Sequence, residues 1–210
     1  MKPLLSAVDH LVYITPDLQE GVRNLEALLG VTAAIGGQHP KWRTQNALLS
    51  LGPQAYLEIM ASDGSPADPE QPRPFGIDGL QDSRLYTWVA RSDSLWDTAS
   101  IAAKEGTDLG EIQSGSRKKP DGTVLQWKMT DPTKDREKGA IPYFIDWGSS
   151  PHPATTAPKG CRLERLKIFH PDAERIRAIL SKLGIEIPVK RGLSSLEAII
   201  DSPKGRVVLR

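Results

Sequence analysis

The chain has one cysteine, Cys161, in 210 residues. A single thiol makes no intrachain disulfide and no cysteine-rich zinc site, and such usage suits a reducing compartment. Cys161 opens a strand-like segment after a linker, which favours a structural thiol over a nucleophile. Charge of either sign is also scarce in excess: 27 basic against 26 acidic residues leave a net charge of +1. A dedicated nucleic-acid binder carries a basic excess on one face, so no nucleic-acid partner is expected. The one basic run, Arg117-Lys118-Lys119, reads as a solvated turn before Pro120-Asp121-Gly122. No apolar run reaches membrane-span length, and Pro3-Leu4-Leu5 gives way quickly to Asp9-His10, unlike a signal segment. A soluble cytoplasmic protein without a membrane partner is the expectation. The Gly-x-Ser-x-Gly elbow, the phosphate loop and the dinucleotide glycine fingerprint are all missing.

What the chain does have is one pattern three times over. A strand-like run leads into a Pro-Asp or Ser-Asp helix start, an amphipathic helix and a stop glycine. The runs are Ala7 to Ile14, Arg84 to Ala90 and Leu163 to Phe169; the starts are Pro16-Asp17, Ser92-Asp93 and Pro171-Asp172; the stops are Gly30, Gly106 and Gly184. Near-even recurrence points to copies of one supersecondary unit. Asp17, Asp93 and Asp172 are the expected N-caps. Leu18, Val22, Leu25, Leu28 and Leu29 form the first apolar stripe, and Leu95, Trp96, Ala99, Ala102 and Ala103 the second. Ile176, Ile179, Leu180 and Leu183 form the third. Each helix is followed by short strand candidates between turn signals, so every unit reads βαβββ. Linkers rich in Pro, Gly and Ser at 62–79 and 148–160 divide the chain. The units fall at 1–61, 80–148 and 160–210.

A tandem βαβββ unit, with Val8-Asp9-His10-Leu11-Val12-Tyr13 at its start, resembles the vicinal oxygen chelate superfamily of glyoxalases, bleomycin-resistance proteins and extradiol dioxygenases. Gly36-Gly37 to His39-Pro40, Asn46 to Gly52 and Tyr56-Leu57-Glu58-Ile59-Met60 are similar to its glyoxalase-like domain family. Pro120-Asp121-Gly122, Leu125 to Trp127, Pro142 to Trp147 and His152-Pro153 extend the resemblance. It implies an α+β fold in which tandem βαβββ modules form a curved mixed sheet around a cavity. The third, C-terminal βαβββ-like module would extend the sheet, cover an edge or mediate a homodimer.

The resemblance also implies chemistry. Metal ligands in the superfamily come from the first and last strands of each module, which here means His10 and Glu58. Strand parity puts Tyr56, Glu58 and Met60 on one face and Leu57 and Ile59 on the other. Tyr86 stands where the second module would offer its first-strand ligand, and only Asp146 could serve near its last strand. The metal set this resemblance implies is His10, Glu58 and Asp146, with His39 or His152 as loop candidates, for Zn, Ni, Mn or Fe. The plainer reading is a metal-free, hydrogen-bonded His10–Glu58 pair. Asp9, the neighbour of His10, is expected on the opposite face.

Further candidates for ligand contact each carry a bland alternative. His39, with Trp42 and Asn46 nearby, caps a pocket or belongs to a surface loop. His152 returns over the cavity mouth or lies exposed. Trp88, Trp127 and Trp147 line an apolar cavity or fill the core under a helix. Tyr86 and Phe144 belong to the same set, and Arg117 clamps a carboxylate or phosphate or is solvated. The expected function is a glyoxalase-like protein acting on a small organic molecule, with His10 and Glu58 catalytic, as a metal-dependent lyase, isomerase or dioxygenase-like enzyme. The alternative is a metal-free, non-catalytic binder of the sequestering type, and a structural or partner-binding role is the third.

Overall fold

The computed structural model describes residues 5–119 and 121–210, so Met1 to Leu4 and Pro120 of the quoted turn lie outside the described residues. The first unit runs β1 (Val8–Ile14), α1 (Leu18–Leu29), β2 (Ala34–His39), β3 (Thr44–Gly52) and β4 (Ala55–Ser62). The second runs β5 (Arg84–Arg91), α2 (Leu95–Lys104), β6 (Ile112–Lys118), β7 (Val124–Thr130) and β8 (Tyr143–Asp146). The third runs β9 (Arg162–His170), α3 (Ala173–Lys182), β10 (Val189–Arg191), β11 (Ser195–Ser202) and β12 (Gly205–Leu209). The expected element order is present in all three.

The helix ends follow local chemistry. The Asp17 carboxylate accepts from the Glu20 amide at 2.7 Å, and Asp172 accepts from Arg175 at 3.2 Å. Gly30, Gly106 and Gly184 all take left-handed φ, at 79°, 73° and 73°, which glycine adopts without strain. The second helix departs from expectation. Ser94, not Asp93, caps it, accepting from Asp97 at 3.3 Å. Its buried face is Leu95 and Ala102, while Trp96 is 73% exposed and Ala103 is also exposed. Consecutive helix positions differ by about 100°, so a face set by Leu95 turns Trp96 outward. Leu28 likewise points away from the first stripe and is exposed.

Units one and two share one wiring: the first strand pairs parallel with the last, as β1 with β4 and β5 with β8. They meet antiparallel at β1 and β5. At the far side β2 and β6 touch through the single pair Gln38↔Lys118, closing an eight-stranded barrel. Glycine permits this contact. A Cβ on Gly37, whose φ is +139°, would lie 2.0 Å from the Lys118 carbonyl oxygen.

The third unit keeps the element order but not the wiring. Its sheet runs β10-β9-β11-β12, so β9 pairs with β10 and β11 rather than with its last strand. That sheet packs on the outside of the barrel. Leu166, Ile168, Ile176 and Ala198 belong to the same buried cluster as Leu11, Leu57, Trp88 and Phe144. One core thus lies between barrel, helices and second sheet. The barrel interior is a separate cluster of Val12, Ile14, Val89, Trp127, Met129 and Ile145. Among the described residues no helix is long and apolar enough to cross a membrane.

Candidate active site

Inside the barrel lies a narrow pocket with a polar floor and apolar walls, enclosing about 440 Å³ together with its open mouth, of which about 30 Å³ admits the centre of a water molecule. Its floor comes mainly from unit one. Tyr56, Glu58 and Met60 of β4 line it, while Leu57 and Ile59 face the outer core, as alternation along a strand requires. His10, His39 and Asn46 reach it from β1, β2 and β3. The wall comes from Trp127, Met129, Ile145 and Trp147 of unit two, with Trp42 at the β2–β3 turn. Gly115 makes room for this wall, since a Cβ there would meet Trp127 at 2.5 Å and Trp42 at 2.7 Å.

The linker between the units supplies a cover. Buried Arg73 bonds Asp78, the Arg43 carbonyl at 2.7 Å and the Ser65 hydroxyl at 2.9 Å. Anchored this way, the linker carries Pro74 and Phe75 onto the cavity. Phe75 holds φ at +63°, a costly conformation for a bulky residue.

Asp9 corrects a sequence expectation. Val8 pairs with Ala90 but His10 pairs with the very next residue, Val89, so Asp9 is the extra residue of a β-bulge. A bulge breaks the alternation and brings Asp9 round to the ring beside it. Its Oδ1 lies 2.8 Å from His10 Nδ1. His152 Nε2 stands 3.1 Å from Oδ2, and the Trp147 indole N–H donates to both oxygens at 3.3 Å. The Ala154 amide donates to His152 Nδ1 at 3.3 Å, so His152 Nε2 carries the hydrogen given to Asp9. Burial alone would raise the Asp9 pKa, yet the bonds from His10 and His152 hold it well below the carboxylate range. Asp9 is a buried anion that takes the Nδ1 hydrogen of His10 and fixes its tautomer.

Glu58 sits between donors and acceptors. Asn46 Nδ2 donates to its Oε1 at 2.5 Å and reaches His39 Nε2 at 3.4 Å. His39 therefore uses Nδ1 to donate to Thr44 Oγ1, 2.9 Å away. Burial lowers the His39 pKa to about 4 against the pull of Glu58, with Arg117 and His10 adding to the lowering. Across the cavity floor, His10 Nε2 and Glu58 Oε2 face each other at 3.5 Å. With Nδ1–H committed to Asp9, both facing atoms are acceptors unless one carries a proton. One proton on either atom would bridge the two. Tyr56 stacks on His10 at 4.5 Å between centroids, and its phenol is pushed well above 10 by burial, Glu58 and Asp9.

The other candidate residues lie elsewhere. Trp88 faces the outer core and donates to the Gly139 carbonyl at 3.1 Å. Phe144 alternates with cavity-facing Ile145 and joins the same outer core. Asp146 likewise points out of the barrel, accepting from the Gly148 amide at 2.8 Å beside surface residues Gln126 and Lys128. Tyr86 packs at the Phe75–Tyr143 end, 6.0 Å from Phe75, away from the His10 cavity. His152 reaches the site through Asp9 and through edge contacts to Tyr56 and Trp147. Sequence reasoning missed Asp9, because a bulge leaves no periodic mark, and missed Phe75, because it stands in a linker.

A sequence profile of the glyoxalase-like domain matches residues 8–184. The chain belongs to the glyoxalase-like domain family. This places it in the vicinal oxygen chelate superfamily. Among solved structures, a hypothetical protein from Staphylococcus aureus is similar, with TM-score 0.64 and 12% identity over 96% of this chain and 83% of that one. Methylmalonyl-CoA epimerase from Mycobacterium tuberculosis aligns with TM-score 0.44 and 15% identity, over 74% of this chain and 96% of that one. No curated protein matches the chain in sequence.

Members of the superfamily often use a divalent metal. In this glyoxalase-like chain the donors do not fit the four-ligand arrangement. His10 and Glu58 meet, but Asp146 and Tyr86 are turned elsewhere. His39 Nε2 lies 3.8 Å from Glu58, yet Asn46 already donates toward both. Among the described residues no group of three or more His, Cys, Asp or Glu has a metal-holding arrangement.

Proposed function

We propose that the barrel cavity binds a small carbonyl compound and that His10 and Glu58 move a proton on it. One observation carries this reading: two buried acceptors 3.5 Å apart, one of them oriented by a buried carboxylate, at the floor of an apolar cavity. The unprotonated member of the pair takes a proton from the carbon next to the carbonyl. The electron pair of that C–H bond forms a carbon–carbon double bond as the carbonyl π pair moves onto oxygen, and the resulting enolate is reprotonated on carbon by the His10–Glu58 pair. Proton transfer by positioned groups is worth roughly 10²- to 10⁴-fold in rate. Lewis-acid help from a divalent metal belongs to the wider family.

Exchange of substrate hydrogen for deuterium tests the reading without knowledge of the product. In D₂O, the native protein should speed exchange of the methylene protons of phenylpyruvate, followed by proton NMR. Glu58→Gln and His10→Gln should each slow it about 100-fold or more. Native exchange no faster than that of Glu58→Gln refutes the catalytic reading and favours the second one. That second reading is a non-catalytic binder, supported by the tryptophan wall. Support for a homodimer comes from the open edges of the third unit's sheet at β10 and β12, while the apolar face of that sheet is buried within the chain. Light scattering of the purified protein decides it.

A further inference from the structure

Arg117 is the cavity residue whose charge the fold leaves unanswered. It points inward from β6 and is only 4% exposed. Among the described residues no carboxylate comes within 4.0 Å of it. Among the described residues its one hydrogen bond is a long one, Nη1 to Asn46 Oδ1 at 3.4 Å, and its buried Nε–H meets no partner. A buried guanidinium that reaches a carboxylate only through Asn46 is costly, and buried donors are normally satisfied. Nevertheless the barrel is shaped to admit it. A Cβ on Gly36 would fall 2.6 Å from Arg117 Nη1 and 2.3 Å from Asn46 Oδ1, so β2 carries glycine where the guanidinium lies.

We propose that the cavity selects small organic monocarboxylates, with the carboxylate held by Arg117 and the apolar body against Trp42, Trp127 and Trp147. This rests on the reading of the cavity as a small-molecule site and names the class of molecule. A guanidinium matches a carboxylate in plane and in donor spacing. The three indoles form a continuous wall, with Trp42 and Trp127 at 5.9 Å and Trp127 and Trp147 at 5.3 Å. An inorganic anion would leave that wall unused. A phosphate dianion would bring two charges to a single cation, beside the carboxylates Asp9 and Glu58. A monocarboxylate matches the one open charge and fills the wall.

The Trp42, Trp127 and Trp147 fluorescence reports occupancy directly, so three probes of one shape can be titrated: phenylacetate, phenylacetamide and phenyl phosphate. The native chain should bind phenylacetate about 10- to 100-fold more tightly than the amide, as expected for a charge-assisted contact, and no less tightly than phenyl phosphate. Arg117→Met should abolish the preference for acid over amide, and Arg117→Lys should keep part of it. Equal binding of acid and amide by the native chain overturns the carboxylate proposal and leaves the cavity reading standing. So does a preference that survives Arg117→Met. Tighter binding of phenyl phosphate overturns the monocarboxylate class. Binding of none of the three overturns the small-molecule reading and the proposal with it. If Arg117→Met does not fold, the native ratio and Arg117→Lys decide.

Discussion

The two halves of the barrel have the same wiring and opposite interiors. From unit one, β1 to β4 put His10, His39, Asn46 and Glu58 into the cavity. From unit two, β7 and β8 put in Trp127, Met129 and Ile145, and β6 adds Arg117. The last strands make the contrast plain. β4 turns Glu58 inward, whereas β8 turns Ile145 inward and Asp146 outward. A duplicated βαβββ frame thus holds backbone geometry constant while the inward positions specialise. On the proposed reading, one half supplies the proton-moving groups and the other the binding wall. A metal site drawing ligands from both halves needs an acid or histidine that the second half does not turn inward.

The contrast can be broken from either side. The largest effect should come from Asp9→Ala in the polar half. It strands the donors of His10, His152 and Trp147, and removing one partner of a buried charged cluster costs about 4 kcal/mol. Urea unfolding would show it as a lower midpoint. Next comes acid. His39 is buried neutral with its pKa lowered to about 4 from 6.5, so the unfolded chain binds its proton first. Stability from this group is complete above pH 6.5 and is lost as pH falls toward 4, by about 3 kcal/mol. Melting temperature measured across that window should drop, and His39→Gln should flatten the slope. The apolar half should respond more mildly. Gly115→Ala places a methyl against Trp127 and Trp42 and should cost about 2 kcal/mol by overpacking. It should also shift tryptophan emission while leaving the acid dependence intact. An unchanged emission spectrum would contradict the assigned wall.

Much of this was legible in the residues. The stop glycines, with the Asp17 and Asp172 caps, marked the order of elements, because both act locally. Parity alone put Glu58 with Tyr56 and Met60. What was not legible depends on contacts distant in sequence or on broken periodicity. The bulge at Asp9 undoes the alternation that predicted its direction. The third unit repeats the pattern of helix and strands, but strand pairing is chosen by packing on the barrel, and no local signal records it. The same holds for Phe75, carried into the cavity by Arg73 from a stretch that reads as plain linker. Arg117 read equally well as a solvated turn residue, and only the glycines of β2 reveal the space kept for it.

The central claim is that Asp9 fixes His10 so that its Nε2 and Glu58 share one labile proton. Long-range proton–nitrogen NMR on histidine-labelled protein reads both ring nitrogens of His10. The account predicts that Nδ1 carries a hydrogen in the native protein and in Glu58→Gln, and that the Nε2 signal moves when Glu58 loses its charge. A His10 ring with Nδ1 bare and hydrogen on Nε2, or an Nε2 signal indifferent to Glu58→Gln, would contradict it.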